Sequence, residues 1–146
     1  MKFSLQNCIW LFAALALPAF AETSPQGSVQ AGDHEIHYSV FPSTFLRPEV
    51  ASAYGIKRSK YESLLNISVT AKGEYGGLSV SIDGTATNLL QQQKTLKFIE
   101  IKEKTATYYL APVRISGEEI LHFKVDATLT NSKTLSAKFS SKLVAQ

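Results

Sequence analysis

Apolar and polar residues alternate with a period of two over many short stretches of this chain, a pattern typical of β-strands with one buried face. The clearest stretch covers residues 120–129, where apolar residues alternate with His122, Lys124, Asp126 and Thr128. The same pattern predicts strands over residues 33–41, 64–72, 78–82, 85–90, 95–102, 105–115 and 135–140. Short strands at such regular spacing favour an antiparallel β-sandwich of immunoglobulin-like architecture, with a small closed barrel as the alternative.

Turn residues between these stretches indicate how the strands connect. Residues 73–77 include three glycines, which reach the positive φ angles of tight turns, so we expect a hairpin connection there. A second hairpin is expected at Asn131-Ser132. Gly84 indicates a bulge, and Pro112, which has no amide proton, places the end of its strand at a sheet edge or bulge.

One stretch, residues 41–69, interrupts the strand pattern with the signals of a helix. Pro48 suits the first helical position, and Gly55 can adopt the left-handed conformation that ends a helix. We therefore expect one short α-helix over residues 48–54, with Ile56 folding back over its last turn.

Residues 1–21 have the features of a cleavable signal peptide. Lys2 supplies a positive charge, residues 9–17 an apolar segment, and Ala19-Phe20-Ala21 a cleavage site. An uncleaved membrane anchor is the alternative, but a spanning helix needs about 20 apolar residues. The predicted mature chain has no transmembrane segment. We expect its polar or small residues 22–31 to form a flexible lead-in and residues 32–146 a single β-sandwich domain.

Cleavage would change the chemistry open to the protein. Its only cysteine, methionine and tryptophan (Cys8, Met1 and Trp10) all lie within residues 1–21. The mature protein then has no thiol for disulfide or metal-thiolate chemistry. Loss of Lys2 lowers the net charge from +3 to +2, which is too small to indicate a nucleic-acid partner. We expect no cofactor.

The remaining titratable side chains do not form a catalytic or metal-binding pattern. His34 and His37 are three apart on a predicted strand and point to opposite faces, so they cannot share an ion without a bulge, and we expect no metal site. His122 lies on an outward face, where a solvated side chain is favoured over a general base. Glu118-Glu119 falls in a turn and is interpreted as a solvated pair.

Several motifs of the mature chain are distinctive beyond these local patterns. They are Gly32-Asp33 with His37-Tyr38, Phe45-Leu46-Arg47-Pro48-Glu49-Val50-Ala51 with Tyr54-Gly55-Ile56, Arg58-Ser59-Lys60, Leu65-Asn66-Ile67-Ser68-Val69, and Gly84-Thr85-Ala86-Thr87-Asn88-Leu89-Leu90. In these motifs the chain resembles a family of small exported proteins of gamma-proteobacteria, the domain of unknown function 4426. The family usually carries Ser or Thr before the first proline of the helix, whereas this chain carries Arg47. The resemblance implies a periplasmic β-rich domain and brings no established activity or catalytic residues.

Three classes of function remain open. The first is a non-catalytic periplasmic interaction or adaptor module that engages an unknown envelope protein through its sheet edges or helix region. The second is a carrier of a small anionic or amphipathic envelope ligand, with Lys57, Arg58 and Lys60 contacting its charge and Tyr54 or Tyr61 its apolar part. The third, a small hydrolase-type enzyme, has the least support, because no catalytic constellation can be assembled. The oligomeric state stays open.

The predicted binding residues lie between the helix and the strand that follows it. They are Tyr54, Arg58, Ser59 and Lys60. Functional side chains are common on loops that are fixed at both ends, and the guanidinium of Arg58 offers a planar fork for a carboxylate or phosphate. In the competing interpretation Arg58 has a structural role and clamps Glu49, Glu62 or a carbonyl at the helix end.

Overall fold

The alternating stretches form strands in the structure, a computed structural model that describes residues 25–146. The strands are β1 Gln26–Ala31, β2 His34–Pro42, β3 Glu62–Ala71, β4 Ser81–Asn88, β5 Gln93–Thr95, β6 Ile99–Lys102, β7 Thr107–Arg114, β8 Glu118–Thr128 and β9 Thr134–Val144. Between β2 and β3 lie a 3₁₀ turn, Ser43–Phe45, and the helix α1, Pro48–Ala53. The predicted signal peptide lies outside the described residues.

Two antiparallel sheets stack face to face. The first sheet has the order β1-β2-β3-β7-β6 and the second the order β5-β4-β8-β9. Their facing sides enclose the main core, to which β3 contributes Leu65 and Ile67 and β8 contributes Phe123 and Val125. Burying one such side chain stabilises the fold by about 1.5–3 kcal/mol. The predicted mainly β fold, a sandwich with a short α-helix, is confirmed.

The hairpin between β8 and β9 forms where the sequence predicts it. Ser132 has a positive φ of 68°, and the Asn131 side-chain oxygen accepts a hydrogen bond from the Lys133 amide at 3.1 Å. The register pairs Val125 with Ala137, so the apolar residues of both strands share the inner face. Local turn chemistry and alternation therefore agree in this part of the chain.

The first strand corrects the predicted start of the domain. The prediction of a flexible lead-in over residues 22–31 is wrong for residues 26–31, which form β1 and pair with β2 along their whole length. Val29 packs against the main core. Small polar residues carry little strand signal of their own, and here β2 supplies the hydrogen-bonding partners. Within the described residues the first strand starts at Gln26.

The connection after β3 is not the predicted hairpin, because β3 lies in the first sheet and β4 in the second. Gly76 has a φ of 85°, and a Cβ on Gly77 would overlap the Thr107 carbonyl oxygen, so both glycines allow a close passage of the chain. The strand predicted from residue 78 begins only at residue 81. Before it, the Tyr109 hydroxyl hydrogen-bonds the amide and the carbonyl of Val80 at 2.8 and 2.9 Å.

A second crossing corrects two further predictions. Gly84 is not a bulge, since β4 pairs with β8 without interruption, and a Cβ at this position would lie 3.2 Å from the side chains of Leu96 and Phe98. Those side chains belong to residues 96–98, which pass from the second sheet to the first. The single strand predicted over residues 95–102 is therefore two short strands, β5 and β6, in different sheets.

Pro112 occupies the position that its missing amide proton predicts. β6 pairs with β7 only as far as Leu110, which lies opposite Ile99, so Pro112 lies beyond the first residue of β6. The prediction of a local sheet edge is confirmed.

A second, smaller core lies on the outer face of the first sheet, beneath residues 43–61. Its buried members are Ala51, Ile56, Leu64, Ile101 and Leu110. Pro48 starts α1, Gly55 ends it with a φ of 66°, and the Ile56 amide donates to the Ala51 carbonyl at 2.8 Å. Ile56 thus folds back over the helix as predicted. Arg47 provides no side-chain cap.

Candidate functional site

Ser43 and Ser59 fasten the two ends of the segment that covers the first sheet. The Ser43 hydroxyl is fully buried, donates to the Ser59 carbonyl at 3.0 Å and accepts from the Ser59 amide at 2.9 Å. The Ser59 hydroxyl accepts a hydrogen bond from the Tyr61 amide at 3.2 Å. Ser59, predicted as a binding residue, therefore holds the base of the segment.

Arg58 lies on the same turn. Its Nη2 donates to the Thr44 carbonyl oxygen at 2.9 Å. The structural interpretation named Glu49, Glu62 or a carbonyl at the helix end as the partner, and the structure uses a carbonyl of the 3₁₀ turn that precedes α1. The contact is exposed to solvent and fixes the guanidinium beside the Ser43–Ser59 pair.

Lys60 and Tyr54 lie on different sides of this turn. The Lys60 ammonium is 5.0 Å from the centre of the Tyr61 ring. The backbone carbonyl of Lys60 accepts a hydrogen bond from the Gln146 amide at 3.1 Å. Tyr54 ends α1 close to Tyr108. Burial raises the pKa of Tyr108, as do the Glu103 carboxylate that accepts its hydrogen bond and the nearby Tyr54 phenol. The structure groups Arg58, Ser59 and Lys60 and leaves Tyr54 apart.

Exposed apolar side chains gather at one end of the sandwich, which we call the Phe45 end. Here β2, β4 and β9 finish and β3 and β8 begin. The exposed large apolar side chains at this end are Phe45, Tyr61, Leu89, Leu90 and Val144. Phe45 is 69% exposed and Leu90 79%. An exposed apolar group of this extent is typical of an interaction surface.

Shallow cavities connect these side chains. Phe45 and Val144 line one of about 260 Å³, and Tyr61 lines another of about 330 Å³ together with Arg114 and Glu119. Glu119 also lines a third, of about 240 Å³, together with the two leucines. The Ile115 amide donates to the Tyr61 carbonyl at 2.9 Å, and the chain end is joined to Lys60 as described above. The apolar side chains therefore share one continuous surface.

Positive charge exceeds negative charge around this surface. The cations that contact or line it are Arg58, Lys60, Lys94, Arg114 and Lys142, and the anions are Glu62, Glu118 and Glu119. Lys142 is paired with Glu118 at 2.6 Å, and Lys94 donates to the Arg114 carbonyl at 3.4 Å. The Phe45 end combines exposed apolar groups with a basic rim.

The comparison with known families identifies the fold. The model of a domain of unknown function, DUF4426, matches residues 28–145. The chain belongs to the DUF4426 family. A crystal structure of a DUF4426 family protein from Pseudomonas aeruginosa PAO1 has 30% sequence identity to it and a TM-score of 0.75, over 84% of this chain and 97% of that one. The predicted family resemblance is confirmed.

FetP from uropathogenic Escherichia coli strain F11 shares the fold of this DUF4426 protein. A copper-bound variant of FetP gives a TM-score of 0.64 at 14% identity, over 87% of this chain and 95% of that one. As-isolated FetP, expressed recombinantly in the periplasm of E. coli BL21(DE3), gives 0.60 at 13% identity, over 82% and 94%. No curated protein sequence matches this chain significantly.

The histidines of the DUF4426 domain lie on different surfaces. His37 is on the outer face of the first sheet, where its Nε2 lies 3.0 Å from the Thr70 hydroxyl and 3.5 Å from the Glu35 carboxylate. His122 is on the outer face of the second sheet, with Nδ1 2.6 Å from the Ser140 hydroxyl. Across residues 25–146, no group of three or more His, Cys, Asp and Glu side chains is placed to hold a metal ion.

The exposed leucines of the Phe45 end were not predicted as part of a binding surface from the sequence. The alternation predicts Leu89 and Leu90 at the end of a strand, whereas β4 stops at Asn88 and the leucines occupy the turn that follows. Two leucines directly before Gln91-Gln92-Gln93 are unusual at the start of a polar turn. This is the one local sequence feature that indicates exposed apolar side chains here.

Of the helices that the structure describes in this DUF4426 chain, none has the length and apolar character needed to cross a membrane.

Proposed function

We propose that this DUF4426 protein is a non-catalytic interaction module of the periplasm that holds an acidic protein partner at its Phe45 end. The observation that carries the proposal is the gathering of exposed Phe45, Tyr61, Leu89, Leu90 and Val144 within one basic rim. The periplasmic location is supported by the predicted signal peptide and by the fold shared with FetP, which was expressed in that compartment.

The apolar groups at this end provide the area that a partner would bury. Aromatic and large aliphatic anchors supply most of the binding energy in protein interfaces, and here they come from separate turns that meet in space. Phe45 follows Ser43, whose two hydrogen bonds to Ser59 fix the backbone before binding. A fixed backbone lowers the entropy lost on association.

The basic rim favours an acidic partner over a second copy of this chain. Two copies joined through this end would bring like charges together, which opposes association. An acidic partner would instead place carboxylates beside cations such as Arg58 and Lys60, which have exposed side chains. The charge pattern therefore argues for a heterologous protein with apolar and acidic side chains.

A non-catalytic role is supported by the surroundings of the candidate bases. His37 and His122 each contact a hydroxyl, and the Glu35 carboxylate beside His37 is 31% exposed rather than buried. Glu118 is engaged by Lys142. The bound copper is a feature of the FetP variant, and a likeness at 14% identity supports the shared fold alone.

The carrier hypothesis placed a ligand beside Arg58 and Lys60. Arg58 instead directs a nitrogen to the Thr44 carbonyl, and the cavity nearest to Tyr61 is lined by Lys94 and Arg114. These contacts favour protein binding as the role of this end.

The test is photo-crosslinking in the cells that make the protein. A photoreactive phenylalanine analogue is placed at position 45 or 90 and, as the control, at position 75, since Tyr75 is fully exposed near the opposite end. We expect both positions of the Phe45 end to capture the same acidic protein and position 75 not to capture it. Lys60→Glu should weaken the capture, whereas Lys133→Glu, on the distant β8–β9 turn, should not.

Three results would contradict this function. Equal capture at positions 45 and 75 would show that the surface is not selective. Capture of a second copy of the chain would replace the acidic partner with self-association. Capture that is unchanged by Lys60→Glu would remove the charge argument.

A further inference from the structure

The outer face of the second sheet carries an ordered array of polar side chains. The strand registers place them in cross-strand rows. One row contains Gln93, Thr87, His122 and Ser140, the next contains Thr95, Thr85, Lys124 and Lys138, and the third contains Asp83, Asp126 and Ser136. This face lies outside the Phe45 end and plays no part in the proposed protein interaction.

A cavity of about 630 Å³ opens on the first two rows. Lys124, Lys138 and His122 line it together with the hydroxyl groups of Thr85, Thr87 and Ser140. The Gln93 amide also contributes to its wall, and the apolar part of the wall comes from Val29, Tyr38, Phe123 and Phe139. Nitrogen and hydroxyl donors therefore dominate the polar part of the lining, and none of the lining residues is acidic.

Lys124 and Lys138 face each other directly across the β8–β9 ladder. Like charges at such a position are destabilising unless an anion lies between or beside them. Lys124 has a carboxylate oxygen of Asp126 at 3.8 Å, while Lys138 makes no ion pair with any residue of the range 25–146. Within the described residues the fold therefore holds two cations side by side with one carboxylate, Asp126, beside Lys124, and Lys138 has no ion-pair partner.

His122 adds a third nitrogen. Its Nδ1 is 2.6 Å from the Ser140 hydroxyl. In the tautomer in which Nδ1 accepts the hydroxyl proton, Nε2 carries a proton that it can donate to a ligand. Because both residues belong to the row beside the lysine pair, their polar atoms can approach the same small molecule. The strand framework fixes these positions, so little ordering is required on binding.

We propose that this cavity binds the oxyanion group, carboxylate or phosphate, of a small molecule. The Lys124 and Lys138 ammonium groups neutralise its charge, and His122 with the threonine hydroxyls supplies further hydrogen bonds. The row of Asp83 and Asp126 borders the lysines on one side and opposes a second negative group there. The site therefore fits a ligand with one oxyanion and an uncharged remainder.

The test is a titration of the purified protein, followed by the amide resonances of its backbone. The probes are sodium phosphate, sodium acetate and sodium glucuronate, with glucose as the neutral control, all at constant ionic strength. We expect saturable shifts centred on residues 122–124 and 138–140. Saturation by phosphate alone assigns a phosphate site, and saturation by acetate or glucuronate assigns a carboxylate site.

Matched lysine variants decide whether binding is specific. Lys138→Gln should weaken binding by about tenfold, the loss expected for one charge-assisted hydrogen bond, and Lys138→Arg should retain it. Lys142→Gln is the control, because Lys142 lies on the same face of β9 but is paired with Glu118. We expect this variant to bind like the unmodified protein.

The proposal is overturned if the anions cause no saturable shifts, if glucose causes the same shifts, or if Lys142→Gln weakens binding as much as Lys138→Gln. These results concern a face that the crosslinking positions 45 and 90 do not touch. Failure of the oxyanion site would therefore leave the proposed interaction function standing, and the reverse also holds.

Discussion

The outer faces of the two sheets differ in what covers them. The segment 43–61 lies on part of the first sheet and encloses the smaller core, whereas the second sheet presents its rows of polar side chains directly to solvent. The difference is visible in single strands. β3 buries both Leu64 and Leu65 completely, although they point to opposite faces, while β8 buries Leu121 and exposes its neighbour His122. Broken alternation in a strand thus indicates a covered outer face.

Removing an apolar side chain beneath the segment 43–61 should have the largest effect on stability. Leu64→Ala should lower the free energy of unfolding by about 2–5 kcal/mol, as much as Leu65→Ala in the main core, because both side chains are 0% exposed. Chemical denaturation of both variants measures the two losses. A Leu64→Ala loss below about 1 kcal/mol would show that the segment does not form a firm core, and Leu89→Ala, in an exposed turn, is the control.

Loss of the hydrogen bonds between Ser43 and Ser59 should lower the free energy of unfolding by a smaller amount. Ser43→Ala removes the hydroxyl that satisfies both the amide and the carbonyl of Ser59, so we expect a loss of about 1–3 kcal/mol. Ser52→Ala, on the exposed side of α1, should change the free energy of unfolding by no more than about 0.5 kcal/mol. Equal stability of the two variants would contradict the fastening role of Ser43.

A substitution at Gly55, which ends α1, should have the smallest effect on the stability of the fold. Gly55 has a φ of 66°, and a Cβ at this position would meet no heavy atom within 4 Å, so Gly55→Ala should cost only the backbone penalty, about 1 kcal/mol. Gly117 has equally open surroundings but no positive φ, so Gly117→Ala should be neutral or slightly stabilising. Thermal unfolding distinguishes them, and equal melting temperatures would exclude a strained position at Gly55.

The sequence predicted features that depend on neighbouring residues. Pro48 and Gly55 mark the ends of α1 because each restricts or permits a particular backbone conformation, whatever surrounds it. β8 is recognisable because its apolar residues occupy every second position. Arg58 and Ser59 were recognisable as candidates because they lie between the end of a helix and the start of a strand. In the structure both of them contact the 3₁₀ turn.

Features that depend on distant partners were missed. Residues 26–31 form a strand because β2 lies beside them, and small polar residues give no local sign of that neighbour. Residues 95–102 carry apolar groups on both sides, which suggested one strand packed on two faces. In the structure this stretch changes sheets, with Leu96 buried in the main core and Ile101 in the smaller one.

Local sequence patterns were enough to predict the class of fold, the helix boundaries and the inward face of the long strands, because backbone preferences and alternation act over a few residues. The three-dimensional fold shows which strands share a sheet, where the chain crosses between sheets, and that Phe45, Leu90 and Val144 meet at one end. It also set Lys124 opposite Lys138. Such neighbours arise from pairings between residues far apart in the chain, and the local pattern of a strand does not specify its partner.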